Sequence, residues 1–114
     1  MWMATHRTFI ATYIMASERN GTLYTGVSSK LTTRVWKHRQ GTFEGFSKDH
    51  GCTRLVWFEP HERVTTAISH EKRIKGWKRD WKLALIETAN PGWLDLAADW
   101  YAETDPNWAP PPED

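Results

Sequence analysis

The sequence predicts a small α+β domain. Two strand-like runs flank an Asn-Gly pair near the N-terminus, a third stands alone in mid-chain, and amphipathic helical segments follow the second and the third.

The run TFIATYIM, residues 8–15, places Phe9, Ala11, Tyr13 and Met15 on one side and Ile10, Thr12, Ile14 and then Ala16 on the other. Both sides are largely apolar, which predicts a central strand. Asn20-Gly21 is a preferred tight-turn pair because both residues tolerate positive φ. TLYTGV then returns as the antiparallel partner. If the turn holds Asn20 and Gly21 alone, Ser17 faces Tyr24 and Tyr13 faces Ser28; if the loop runs from 18 to 21, Met15 faces Tyr24. Either register puts Tyr13 and Tyr24 on one face, and the longer loop sets them about one diagonal neighbour apart, roughly 7 Å.

Ser28 or Ser29 can cap a helix over residues 30–40, ended by Gly41. One stripe of it carries Leu31, Arg34, Val35 and His38, so an arginine and a histidine sit beside the residues that anchor the helix. GTFEGFSKDHG reads as a loop. TRLVWFE is a third strand closed by Pro60, and a long helix follows over about 62–77, broken near Gly76. Its inward stripe is Val64, Ala67, Ile68, Glu71 and Ile74 or Lys75. Glu71 interrupts an apolar row and needs a cation, a metal or solvent. WKLALIETA is a further short helix stopped at Asn90-Pro91, and WLDLAADWY is expected to add a last helical turn or two. DPNWAPPPED has the composition of a disordered, acidic, Pro-rich tail.

At 114 residues one domain fits, with a core that buries roughly 65% of the unfolded chain's surface. A single cysteine, Cys52, permits no internal disulfide and suits a reduced, cytoplasmic setting. No apolar run approaches the roughly 20 residues of a membrane span, so a soluble, unexported protein is expected. The net charge of +1 hides a sorting along the chain: residues 30–82 hold 13 Lys or Arg against 6 Asp or Glu, a balance of +7, whereas residues 83–114 hold 7 acidic residues and no Lys or Arg. A segment this basic favours a polyanion, and the acidic tail either shields it or keeps the protein soluble. Solvated helix faces would account for the same charges.

Two same-face tyrosines, Arg34 and His38 on one helical stripe, and Glu71 in the next helix form, in this order, a set that resembles the GIY-YIG nuclease superfamily. The first half-motif stands as Ala11-Thr12-Tyr13 and the second as Tyr24-Thr25-Gly26. The small single-domain bacterial members have counterparts of NGTLYTGV, LTTRVWKH, RLVWFE and the later helical segments, across roughly residues 8–96. The resemblance implies a three-stranded antiparallel sheet flanked by helices, a nuclease domain over residues 7–101, and a tail over 102–114. It also implies an endonuclease that hydrolyses phosphodiester bonds in DNA, with RNA as the other candidate, in DNA repair or processing. Magnesium or Mn²⁺ would be the cofactor, nucleic acid the partner, and no membrane would be involved.

By the same resemblance, Tyr13 or Tyr24 orients or deprotonates water, Arg34 holds the phosphate, His38 assists proton transfer and Glu71 binds the metal. A phenol with its ordinary pKa of about 10 is a poor base at neutral pH unless cations favour the phenolate, a pull expected from Arg34, His38 and the metal. Lys48, Lys72 and Lys75 are candidate phosphate contacts. Departures are Ala11 and Thr12 for Gly and Ile, Thr25 for Ile, and Leu83 where excision-repair members carry an asparagine; Asn90 and Glu87 are the nearby polar groups. Ordinary structural roles exist for each residue: core aromatics for the tyrosines, a packed histidine, and an Arg34–Glu71 ion pair. His61-Glu62 and His70-Glu71 lack a second histidine at positions 65 and 74, which rules out the helical zinc-protease motif. Most of the eight tryptophans read as packing residues, leaving one or two to stack on bases. A binding module on the same fold, without efficient turnover, is the alternative function. A protein-interaction domain with the acidic, Trp-rich C-terminus as its contact is a third.

Overall fold

The computed structural model describes residues 8–40 and 50–101. Three strands, β1 (Ala11–Ala16), β2 (Leu23–Ser28) and β3 (Arg54–Pro60), form one antiparallel sheet in the order β2-β1-β3. The helices are α1 (Leu31–Gln40), α2 (Val64–Lys75) and α3 (Arg79–Ala89). The α+β class and the central place of β1 follow the sequence pattern, and every residue of β1 is buried. None of these helices is long and apolar enough to cross a membrane.

The hairpin adopts the register with the longer loop. Met15 opposes Tyr24 and Tyr13 opposes Gly26, with Ser17 N donating to Thr22 O at 3.0 Å and Gly21 N to Glu18 O at 2.9 Å. Only Asn20 of the turn pair takes a positive φ, at 60°. Each face of β1 builds its own core. Tyr13 and Met15 pack with Leu31 and Val35 of α1, whereas Ile14 and Ala16 pack with Ile74 of α2 and Ile86 of α3. The sheet therefore lies between α1 on one side and α2 with α3 on the other.

Two expectations are corrected. Segment 93–101 is not helical; Trp93 has φ 54°, and isolated turns join Asp95 O to Ala98 N and Ala97 O to Trp100 N. It is tied instead to β3, where Leu96 N donates to Leu55 O and Asp95 Oδ1 accepts from the Leu55 and Ala97 amides. Its Ala97 and Tyr101 complete the core over α1. Val64, expected inward, is exposed at the start of α2, and the buried residues of that helix are Ala67, Glu71 and Ile74. Thr12 stands where the half-motif pattern has an apolar residue, and β1 keeps its regular pairing there; its buried hydroxyl donates to Ala67 O at 2.8 Å, tying the central strand to α2.

Candidate active site

Strand pleating puts the two tyrosines on one face, because alternate residues point the same way and Met15 pairs with Tyr24. Their ring centroids are 6.3 Å apart. Gly26, directly across from Tyr13, makes room for the phenol: a β-carbon there would stand 2.7 Å from Tyr13 Cζ and from Oη.

The expected serine cap is not what starts α1, the helix that brings in the remaining groups: Ser28 Oγ accepts from Lys30 N at 2.9 Å in the turn ahead of it, while Leu31 N donates to Phe9 O at 2.8 Å and Thr32 N to Thr8 Oγ1 at 3.2 Å. Leu31 and Val35 fix the rotation of α1 by packing in the core of Tyr13 and Met15, which carries His38 onto the same face. His38 Nε2 lies 2.9 Å from Tyr13 Oη, and its ring centroid is 5.2 Å from that of Tyr24. Burial pushes the His38 pKa down to about 4, and the Arg34 guanidinium adds to the effect. This revises one expectation. His38 is a neutral imidazole at pH 7 and supplies no positive charge to a phenolate; Arg34 is the cation of this group. Tyr13 is buried, whereas Tyr24 is only partly so, and Tyr24 is the phenol that solvent reaches.

Glu71 comes from the other side of the sheet. It lies between Ala67 and Ile74 on the stripe of α2 that packs against β1 and β2, and its residue is 9% exposed. Its carboxylate is paired with Lys75 Nζ at 2.6 Å. The structural pairing open to it in the sequence, with Arg34, is therefore made within its own helix instead. β2 is an edge strand of the sheet and is touched by both α1 and α2.

Lys72 is exposed on α2, Lys75 is engaged with Glu71, and Lys48 lies outside the described residues. Asn90 and Glu87 hold the C-terminal segment: Asn90 Nδ2 donates to Val56 O at 3.0 Å and Glu87 accepts from Trp93 Nε1 at 3.1 Å.

The family model of the GIY-YIG catalytic domain matches residues 9–84. The chain belongs to the GIY-YIG family. Two UPF0213 proteins of Staphylococcus aureus, from strains Mu50 and N315, are each 35% identical to it over 68 residues, covering 60% of this chain and 83% of theirs. No solved structure matches it significantly. GIY-YIG proteins form a nuclease superfamily acting on nucleic acid and are generally dependent on a divalent metal.

The donor chemistry at Glu71 fits a hard cation. Magnesium keeps most of its waters and needs one or two carboxylates, and the charge of Glu71 is balanced here by a flexible lysine whose side chain is 52% exposed. Among the described residues, helix-spacing reasoning misses a further group: Glu59, His61 and His70 offer ligand atoms within 4.8 Å of one another. They come from the end of β3, the residue after it, and α2, a separation no fixed local motif describes. Burial holds the His70 pKa below its ordinary value; Glu59 opposes this, while His61 and Arg73 add to it.

Proposed function

We propose that this GIY-YIG chain is a divalent-metal-dependent endonuclease that hydrolyses phosphodiester bonds in DNA, in repair or processing. The observation that supports the reading best is the Tyr13–His38–Tyr24 cluster, in which a buried phenol, a neutral imidazole and a solvent-reachable phenol share one sheet face beside Arg34.

Tyr24 is the group we assign to the attacking water, since it is the accessible one of the pair. Tyr13 is a positioning residue: in the Nδ1–H tautomer of His38, its hydroxyl donates to Nε2, which fixes both rings against Tyr24. His38, being neutral, has a lone pair with which to take up a proton passed along the phenols. In the hydrolysis, water oxygen bonds to phosphorus and the bridging P–O bond breaks; Tyr24 takes the water proton as its own phenolic proton moves on toward His38, and solvent water protonates the departing oxygen. Arg34 offers donors in a fixed fork suited to the non-bridging phosphate oxygens. Glu71 would hold the metal, which when bound stabilises the charge developing on the phosphate and makes its water more acidic.

The Glu71–Lys75 pair favours a second reading, a nucleic-acid-binding module whose metal carboxylate is occupied by its own lysine. Incubating the purified protein with single-stranded, duplex and branched DNA, with Mg²⁺, Mn²⁺ or chelator, distinguishes the two. Metal-dependent cleavage lost in Glu71→Gln is the expected result. Cleavage of no substrate with either ion would leave the binding module, and equal cleavage by Glu71→Gln would identify a contaminant.

A further inference from the structure

We infer that Glu59, His61 and His70 form a second metal site, selective for a Zn²⁺-class transition ion and separate from Glu71. The inference does not depend on the nuclease reading.

The geometry is that of a site close to assembled. His61 Nε2 and His70 Nδ1 lie 3.4 Å apart. Two nitrogens bound about 2.05 Å from a tetrahedral ion are separated by about 3.3 Å, so the imidazoles already stand at the spacing of a shared ion. Glu59 Oε1 is 3.9 Å from His70 Nδ1, on a side chain 52% exposed and able to close the remaining gap. Both rings are oriented by packing. Trp57 meets His70 edge-on at 5.8 Å and 84°, and the two imidazoles meet at 5.4 Å and 86°. The three residues line one open cleft of about 320 Å³ together with Thr66, Ser69 and Arg73.

The donor set selects the ion. Two imidazoles and one carboxylate suit zinc and its neighbours, whereas Mg²⁺ requires an oxygen-dominated octahedron. Three protein ligands leave one tetrahedral position open to water or another small ligand. Arg73 opposes a cation, but its side chain is exposed and its charge is screened by solvent. Binding also requires a tautomer change. Thr12 Oγ1 commits its proton to Ala67 O, so at 3.3 Å it accepts from His61 Nε2–H in the metal-free protein. Coordination moves the His61 ring proton to Nδ1 and frees the Nε2 lone pair, with no net change in protonation. Glu71 follows His70 in sequence, but one residue along a helix is a turn of about 100°, and its carboxylate is held by Lys75.

The test uses the full chain without a histidine tag, stripped with chelator and titrated with Zn²⁺ by calorimetry, and with Co²⁺ by its tetrahedral absorption. One equivalent should bind. His61→Gln and His70→Gln should each weaken it roughly tenfold or more, Glu59→Gln should weaken it measurably, and Glu71→Gln should leave it unchanged. Circular dichroism checks each fold, and should the histidine variants unfold, the exposed Glu59→Gln decides alone. No saturable binding, wild-type affinity in folded histidine variants or in Glu59→Gln, or loss of binding in Glu71→Gln would each overturn the site.

Discussion

Gly26 lies directly across the ladder from Tyr13, and the tyrosine occupies the space that a side chain on Gly26 would need. The glycine of one half-motif is thus a requirement set by the tyrosine of the other. Its φ is unexceptional, so the constraint is close approach rather than backbone freedom.

Gly26→Ala should therefore destabilise the fold by about 1–3 kcal/mol, the cost of overpacking a filled core, and break the Tyr13–His38 hydrogen bond. Tyr13→Phe removes one of the two atoms in the way. The pair should be non-additive, the double variant losing less than the sum. Urea midpoints measure this, and a neutral Gly26→Ala would show that the close approach does not exist.

His38 makes the fold sensitive to acid. Its folded pKa of about 4 lies below the ordinary 6.5, so between these values the unfolded chain binds more protons than the folded one. The contribution is fully present above pH 6.5 and is lost as pH falls toward 4, at no more than about 1.4 kcal/mol per pH unit for one proton. Denaturation midpoints at successive pH values should fall through this window and flatten in His38→Gln.

The hairpin, the shared face of the tyrosines and the inward turn of His38 were all legible, because period 2 in a strand and 3.6 in a helix are written into residue spacing. What spacing could not show is which sheet face receives each helix. Glu71 reads as an intruder in an apolar stripe, yet only the packing of Ile74 against Ile14 puts that stripe opposite the tyrosines. Segment 93–101 has helical composition, but Asp95 binds the backbone of β3 and its own neighbour, a competition that tertiary context decides. The neutrality of His38 depends on burial, which no pattern measures.

Lys75→Met should make Glu71 easier for a metal to use. The pair is an i,i+4 contact open to solvent on the lysine side, worth about 0.3–0.5 kcal/mol, so the Mg²⁺ concentration giving half-maximal cleavage should fall about twofold. An increase would mean that Lys75 serves the site directly rather than competing for it.

Binding to DNA should weaken steeply with salt if residues 30–82, with their balance of +7, meet phosphates. Lys72→Gln should reduce the slope of log affinity against log salt by roughly one on single-stranded and duplex DNA alike. Affinity indifferent to salt would remove this segment as the footprint.

The two tyrosines should separate in kinetics. Tyr24 is reached by solvent and is assigned to the water, so Tyr24→Phe should lower kcat by roughly 10²–10⁴, the range for a lost acid–base group, with KM and stability close to wild type. Tyr13 is buried with its hydroxyl on His38, so Tyr13→Phe should cost about 1 kcal/mol of stability and a smaller share of kcat. His38→Gln can still accept from Tyr13 through its amide oxygen, and it should keep more of the rate than His38→Ala if the histidine acts by positioning. Equal and complete loss in both would point to proton transfer through the imidazole itself. The reverse order for the tyrosines, with Tyr13→Phe inactive and Tyr24→Phe near normal, would move the base to the buried phenol and require that face to open when substrate binds.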